Sequence, residues 1–84
     1  MKELELLKKK IKYRAAYRGT KEMDMLLTSF VNSVINTLDI LKLLKLDEFL
    51  NCNDEDIYNF YFNKKTILKF NDKKILNLFK SFKI

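Results

Sequence analysis

The residues best suited to chemistry are three charges set around one glycine: Arg18, Gly19, Glu22 and Asp24. An arginine fork can donate paired hydrogen bonds to a carboxylate or carbonyl, and nearby carboxylates can orient it or accept from a partner. This is the chemistry of recognition, not of turnover. The remainder of the chain supplies no catalytic constellation. It has no histidine to act as an imidazole base. Cys52 is its lone cysteine, with no imidazole to activate it, no disulfide partner and no companion ligands for a metal. Asp54, Glu55 and Asp56 are contiguous and lack the spacing of a calcium loop. No glycine-rich loop is present to cradle a pyrophosphate. The expectation is a protein that is not an enzyme and binds no cofactor tightly.

Helices must position that corner. Gly19 is the only glycine, and proline is absent. Gly19 is therefore the residue that can take φ > 0 at no steric cost where one helix stops and another starts. Leu4, Leu7, Ile11, Tyr13, Ala15 and Ala16 predict a first helix from about Lys2 to Tyr17. Met23, Leu26, Leu27, Phe30, Val31, Val34, Ile35 and Leu38 keep an unbroken helical spacing, predicting a second helix over Thr20 to Thr37 that forms the backbone of the core. A third helix follows a break near Asp39, with apolar residues on more than one side; either it is sandwiched between others, the favoured reading, or part of it faces a partner. Asn53 or Asp54 can cap a fourth helix carrying Ile57, Tyr58, Phe60, Tyr61 and Phe62, read as core aromatics and ended by Asn63-Lys64-Lys65. Asn71 or Asp72 can cap a short fifth, followed by a frayed tail over 81–84. The fold expected is all-α, one compact domain over residues 1–84 built from about five helices.

On this frame the charges at Gly19 need no function. A cation ending one helix and carboxylates opening the next suit the two helix dipoles, at about 0.3–1 kcal/mol each. The charge distribution is more telling. Residues 1–21 and 57–84 each carry a net +6, and residues 22–56 carry −6. Sign-segregated faces suit one oriented partner rather than a uniform phosphate backbone. There is no apolar run of the ~20 residues a membrane span needs. The first residues lack the features of a secretory or transit segment. The location expected is cytoplasmic, with no membrane contact.

The run Arg18-Gly19-x-x-Glu22-x-Asp24, followed by Leu26-Leu27 and Phe30, resembles the signature of the SdhE family, small succinate dehydrogenase assembly factors. Tyr13-Arg14 before it resembles the bacterial form, as does the acidic turn and aromatic helix from Leu50 through Asp54-Glu55-Asp56-Ile57-Tyr58-Asn59-Phe60. The resemblance runs from about Ile11 to Lys65. Phe60 stands where the family usually has tryptophan, Glu55 where it often has proline, and no glycine follows Asn63.

The resemblance implies a chaperone that binds the flavoprotein subunit of succinate dehydrogenase and promotes its covalent flavinylation. The flavoprotein carries the FAD and attaches it itself, through one of its own histidines at the 8α carbon. The fumarate reductase flavoprotein is a second candidate client, and a monomer is expected. Arg18, Gly19, Glu22 and Asp24 would form the contact, with Tyr17 and Thr20 touching the partner or supporting the turn. Arg18 would offer its fork, Gly19 a close backbone approach, and Glu22 would orient Arg18 or accept from the partner, with Asp24 in support. The rival reading is a small basic helix-turn-helix-like nucleic-acid binder, against which Glu22 and Asp24 open the would-be recognition helix with repelling charge.

Overall fold

The chain reverses where its only glycine stands. Gly19 takes φ 117°, and no other described residue has a positive φ. The computed structural model describes residues 2–62, 68 and 70–83. Among these the chain forms helices α1 (Lys2–Ala16), α2 (Lys21–Val34), α3 (Ile40–Phe49), α4 (Asp54–Phe62) and α5 (Lys73–Ser81), and no strand. The all-α expectation therefore holds. Asn63-Lys64-Lys65, expected to end the fourth helix, lies outside the described residues. No described helix is long and apolar enough to cross a membrane.

Caps set where the helices begin. Thr20 accepts from the Met23 N–H at 3.3 Å and Asp39 from that of Lys42 at 2.9 Å, through their side chains. Asn53 accepts from the Asp56 N–H at 2.8 Å, and Asp72 from that of Ile75 at 3.0 Å. Each satisfies one of the orphan donors of a first turn. Of the paired alternatives, Asn53 and Asp72 are the caps, which leaves Asp54 free for another task. The second helix ends earlier than Thr37. The Thr37 N–H and hydroxyl both bond the Val34 carbonyl, at 2.9 and 2.8 Å, a local pattern that competes with continued helix.

α1 packs on α2 and α3, and α5 on α3 and α4. Every apolar position read for the second helix is buried. Phe30, Phe49 and Phe79 are the largest side chains with no exposure. Two expectations fail. α3 is not sandwiched: Leu43, Leu46 and Phe49 are buried, but Leu41 is 71% exposed and Ile40 and Leu44 also face out. So small a domain lacks the elements to cover both sides of a helix. The tail is not frayed through Phe82 either. Its ring lies 5.7 Å from that of Phe30, and its carbonyl accepts a hydrogen bond from the Tyr61 hydroxyl.

An ion pair ties α3 to the start of α5, Lys42 Nζ to Asp72 Oδ2 at 2.7 Å. The Lys42 hydrogen bond, helped by the Ile75 N–H and opposed by burial, holds the Asp72 carboxyl below its ordinary value of 3.8. A depressed folded-state value stabilises the fold above the unfolded value, and that gain is lost as pH falls through the folded value. Asp72→Asn can keep the cap without the charge. We expect it to be less stable than the parent at neutral pH and to lose less stability between about pH 5 and pH 2. Urea unfolding across that range checks this; equal acid sensitivity would rule it out.

Candidate functional site

Just beyond α1, the Arg18 backbone N–H donates to Asp24 Oδ1 at 2.6 Å, which closes the Gly19 turn on itself. The Arg18 side chain then runs inward and is only 11% exposed. Its Nε donates to Asp54 Oδ1 at 2.8 Å, Nη1 to the Leu50 carbonyl at 2.7 Å and Nη2 to the Cys52 carbonyl at 2.8 Å. The guanidinium thus fills the gap between the end of α3 and the start of α4. There it meets carbonyls at the negative end of one helix dipole and an acid at the positive end of the next. Arg18 complements a helix dipole as expected, but the helix it serves is α3 rather than α1.

Arg14, one helical turn earlier, grips the same end of α3. Its Nη1 lies 3.0 Å from the Asp47 carbonyl and 2.5 Å from Asp47 Oδ1, and its Nη2 donates to Asn51 Oδ1. Two arginines a turn apart therefore brace the α3–α4 turn from α1 and its exit. Asp54, not Glu22, orients Arg18.

The brace leaves a bare corner on the surface. A Cβ built on Gly19 would meet no atom within 4 Å. Tyr17 beside it is 71% exposed, its ring 4.7 Å from that of Tyr13. Thr20 and Glu22 are exposed too, and the Glu22 side chain makes no hydrogen bond or ion pair among the described residues. The structure brings Tyr17, Gly19, Thr20 and Glu22 to one surface, while the Arg18 and Asp24 side chains serve the turn behind it.

Cys52 contributes its carbonyl rather than its sulfur. Burial pushes the thiol above its ordinary value, and the Asp56 carboxylate pushes the same way against the pull of Arg18. A raised thiol is a poor nucleophile at neutral pH. Among the described residues no three His, Cys, Asp or Glu side chains gather to hold a metal ion.

Next to the corner, α2 and α4 enclose a cleft of ≈ 270 Å³ lined by Glu22, Met25, Leu26, Tyr58 and Phe62. An adjoining extension of ≈ 420 Å³ shares Glu22 and Tyr58 with it and is lined also by Thr20, Met23, Asp54 and Glu55. The aromatic run of α4, read as core, is in fact divided. Ile57 and Phe60 are buried, whereas Tyr58 and Phe62 face out with their rings 4.6 Å apart.

A family model described as Sdh5, flavinator of succinate dehydrogenase, matches residues 9–83. The chain belongs to the Sdh5 family. No curated protein and no solved structure matches it. The match extends past the Ile11–Lys65 range of the resemblance and takes in α5, the helix that closes the core. In this Sdh5-family chain Phe60 keeps an aromatic ring against the core. It is buried, roughly parallel to Phe79 at 6.4 Å, with Lys80 Nζ 4.5 Å from its centroid.

Sequence reasoning missed the brace and the cleft. Met25 had a legible signal, an apolar residue out of phase with the buried spacing of α2. Tyr58 and Phe62 had one as well, an i,i+4 aromatic pair off the Ile57–Phe60 face. Arg14 had none, because its acceptors lie 33 and 37 residues away.

Proposed function

We propose that this chain binds the flavoprotein subunit of succinate dehydrogenase through the Tyr17, Gly19, Thr20 and Glu22 corner and promotes its covalent flavinylation. One observation carries the site: the positive-φ glycine is exposed, with open space where a Cβ would stand. A partner backbone can approach there and nowhere else so closely, since any other residue brings a Cβ. Membership of a family described as flavinator of succinate dehydrogenase supports the flavoprotein as the partner. Arg18 and Asp24 act from behind, holding the turn in the conformation that presents Gly19.

The chain contributes no catalytic group and holds no cofactor tightly; FAD is carried by the flavoprotein. Its effect is to raise the population of a flavoprotein conformation in which the reacting atoms are correctly placed, an entropic and positioning contribution. It acts as a cytoplasmic monomer, and the fumarate reductase flavoprotein is a second client. Duplex DNA fits this corner poorly, because exposed Glu22 would face phosphate.

Co-expression with the flavoprotein subunit, read as in-gel flavin fluorescence after denaturation, tests the reading. Covalent flavin should rise when the chain is present. It should fall about tenfold or more, the factor that goes with ~1.4 kcal/mol of lost interaction, in Glu22→Arg and in Gly19→Arg. Glu22→Arg is the cleaner variant, since Gly19→Arg also carries a backbone strain of about 1–3 kcal/mol. Full flavinylation with both variants, each helical by circular dichroism, would sink the assignment.

A further inference from the structure

The cleft between α2 and α4 combines an apolar interior with a rim of one sign. Leu26 is buried at its floor, and Met25, Tyr58 and Phe62 expose about half of their surface around it. The charged side chains that line it and its extension are Glu22, Asp54 and Glu55, with no lysine or arginine among the described residues. Asp54 is met by Arg18. Glu22 and Glu55 form no ion pair among the described residues. This acidic mouth stands out in a chain whose net charge is +6.

We infer that the cleft takes a segment of the flavoprotein in which an apolar side chain sits next to a lysine or arginine. The inference rests on the proposed function and names the chemistry of its partner surface. The apolar part of the cleft, ≈ 270 Å³, suits one anchoring side chain, and the carboxylates of its extension oppose the pyrophosphate of a dinucleotide. Met25 supplies a flexible thioether that moulds to an irregular apolar group, and Tyr58 and Phe62 supply flat walls. Glu22 and Glu55 then favour a cation beside the anchor and oppose an acid or a phosphate. Because Glu22 belongs to both the corner and the cleft, an apolar anchor in the cleft would seat the partner backbone against Gly19.

The test is calorimetric titration of the full chain into purified flavoprotein subunit at low and high salt. Met25→Asp and Tyr58→Ala, both at exposed positions, should each weaken binding by about tenfold. Binding of the parent should weaken with added salt, and Glu55→Gln should flatten that dependence. Parent-like binding by Met25→Asp and Tyr58→Ala, with Gly19→Arg still unable to bind, would overturn the cleft and leave the corner standing. Binding that strengthens with salt would overturn the basic partner. A parent dimer in sedimentation that Met25→Asp dissociates would reassign the cleft to a second copy of this chain. No binding by the parent chain would fail the proposed function itself and the cleft with it.

Discussion

Arg18→Ala should lower the unfolding free energy by about 2–4 kcal/mol, because Arg18 braces the turn that lies behind the proposed partner surface. Truncation leaves the Leu50 and Cys52 carbonyls and the Asp54 carboxylate without the donor that now meets all three. An acceptor left unpaired in a buried setting costs about 1–3 kcal/mol. Asp54 is 27% exposed, so water recovers part of the loss there, which places the sum at the lower end for three bonds. For a domain of this size the melting temperature should fall by about 8–32 °C.

Arg18→Lys should recover less than half of that. A compact ammonium cannot span the three acceptors that the planar fork reaches together. Thermal and urea unfolding followed by far-ultraviolet circular dichroism would measure both variants. An Arg18→Ala melting temperature within about 3 °C of the parent would mean that the brace contributes little. Lost flavinylation in an Arg18 variant reports first on the turn and only then on contact with the flavoprotein, whereas Glu22 variants report on contact.

Phe79→Ala should be more damaging still, at about 3–5 kcal/mol. The ring has no exposure and lies 4.9 Å from Phe30 of α2, 5.2 Å from Phe49 of α3 and 5.0 Å from Tyr61 of α4. One side chain of α5 therefore joins three other helices. An 84-residue domain has a total stability of about 4–12 kcal/mol, so the variant should lose about a quarter of it or more and, at the low end of that range, be unfolded at 37 °C. Phe79→Leu keeps most of the apolar volume and should cost less than half as much. Equilibrium denaturation of the two variants is the check. A loss below about 1 kcal/mol for Phe79→Ala would mean that α5 does not close the core.

The family, the helices and most of the core were legible in the amino-acid sequence. Their signals are local: apolar spacing along α2, a side-chain cap three residues before the N–H it meets, and a lone glycine where φ must be positive. Such rules act within one or two helical turns, so reading neighbours suffices. Even the cap alternatives were narrowed to adjacent residues, Asn53 or Asp54 and Asn71 or Asp72.

Tertiary structure decided everything that depends on which helix ends lie side by side. Arg18 was legible as a cation at a helix end, but its acceptors stand 32 to 36 residues further along. Only packing brings the end of α3 to it, which is why a fork expected to reach a partner is turned inward. The same holds for exposure. Ile40, Leu41 and Leu44 are as apolar as Leu43 and Leu46, and Tyr58 and Phe62 as aromatic as Phe60. Which of them meet water was settled by how few helices there are to cover them. The tail shows the converse, for Phe82 is held by Tyr61 and Phe30 across sequence distances that no local rule spans. Backbone conformation follows from nearby residues because its hydrogen bonds close over a few positions, whereas a side chain's role is set by whatever surface the fold places against it.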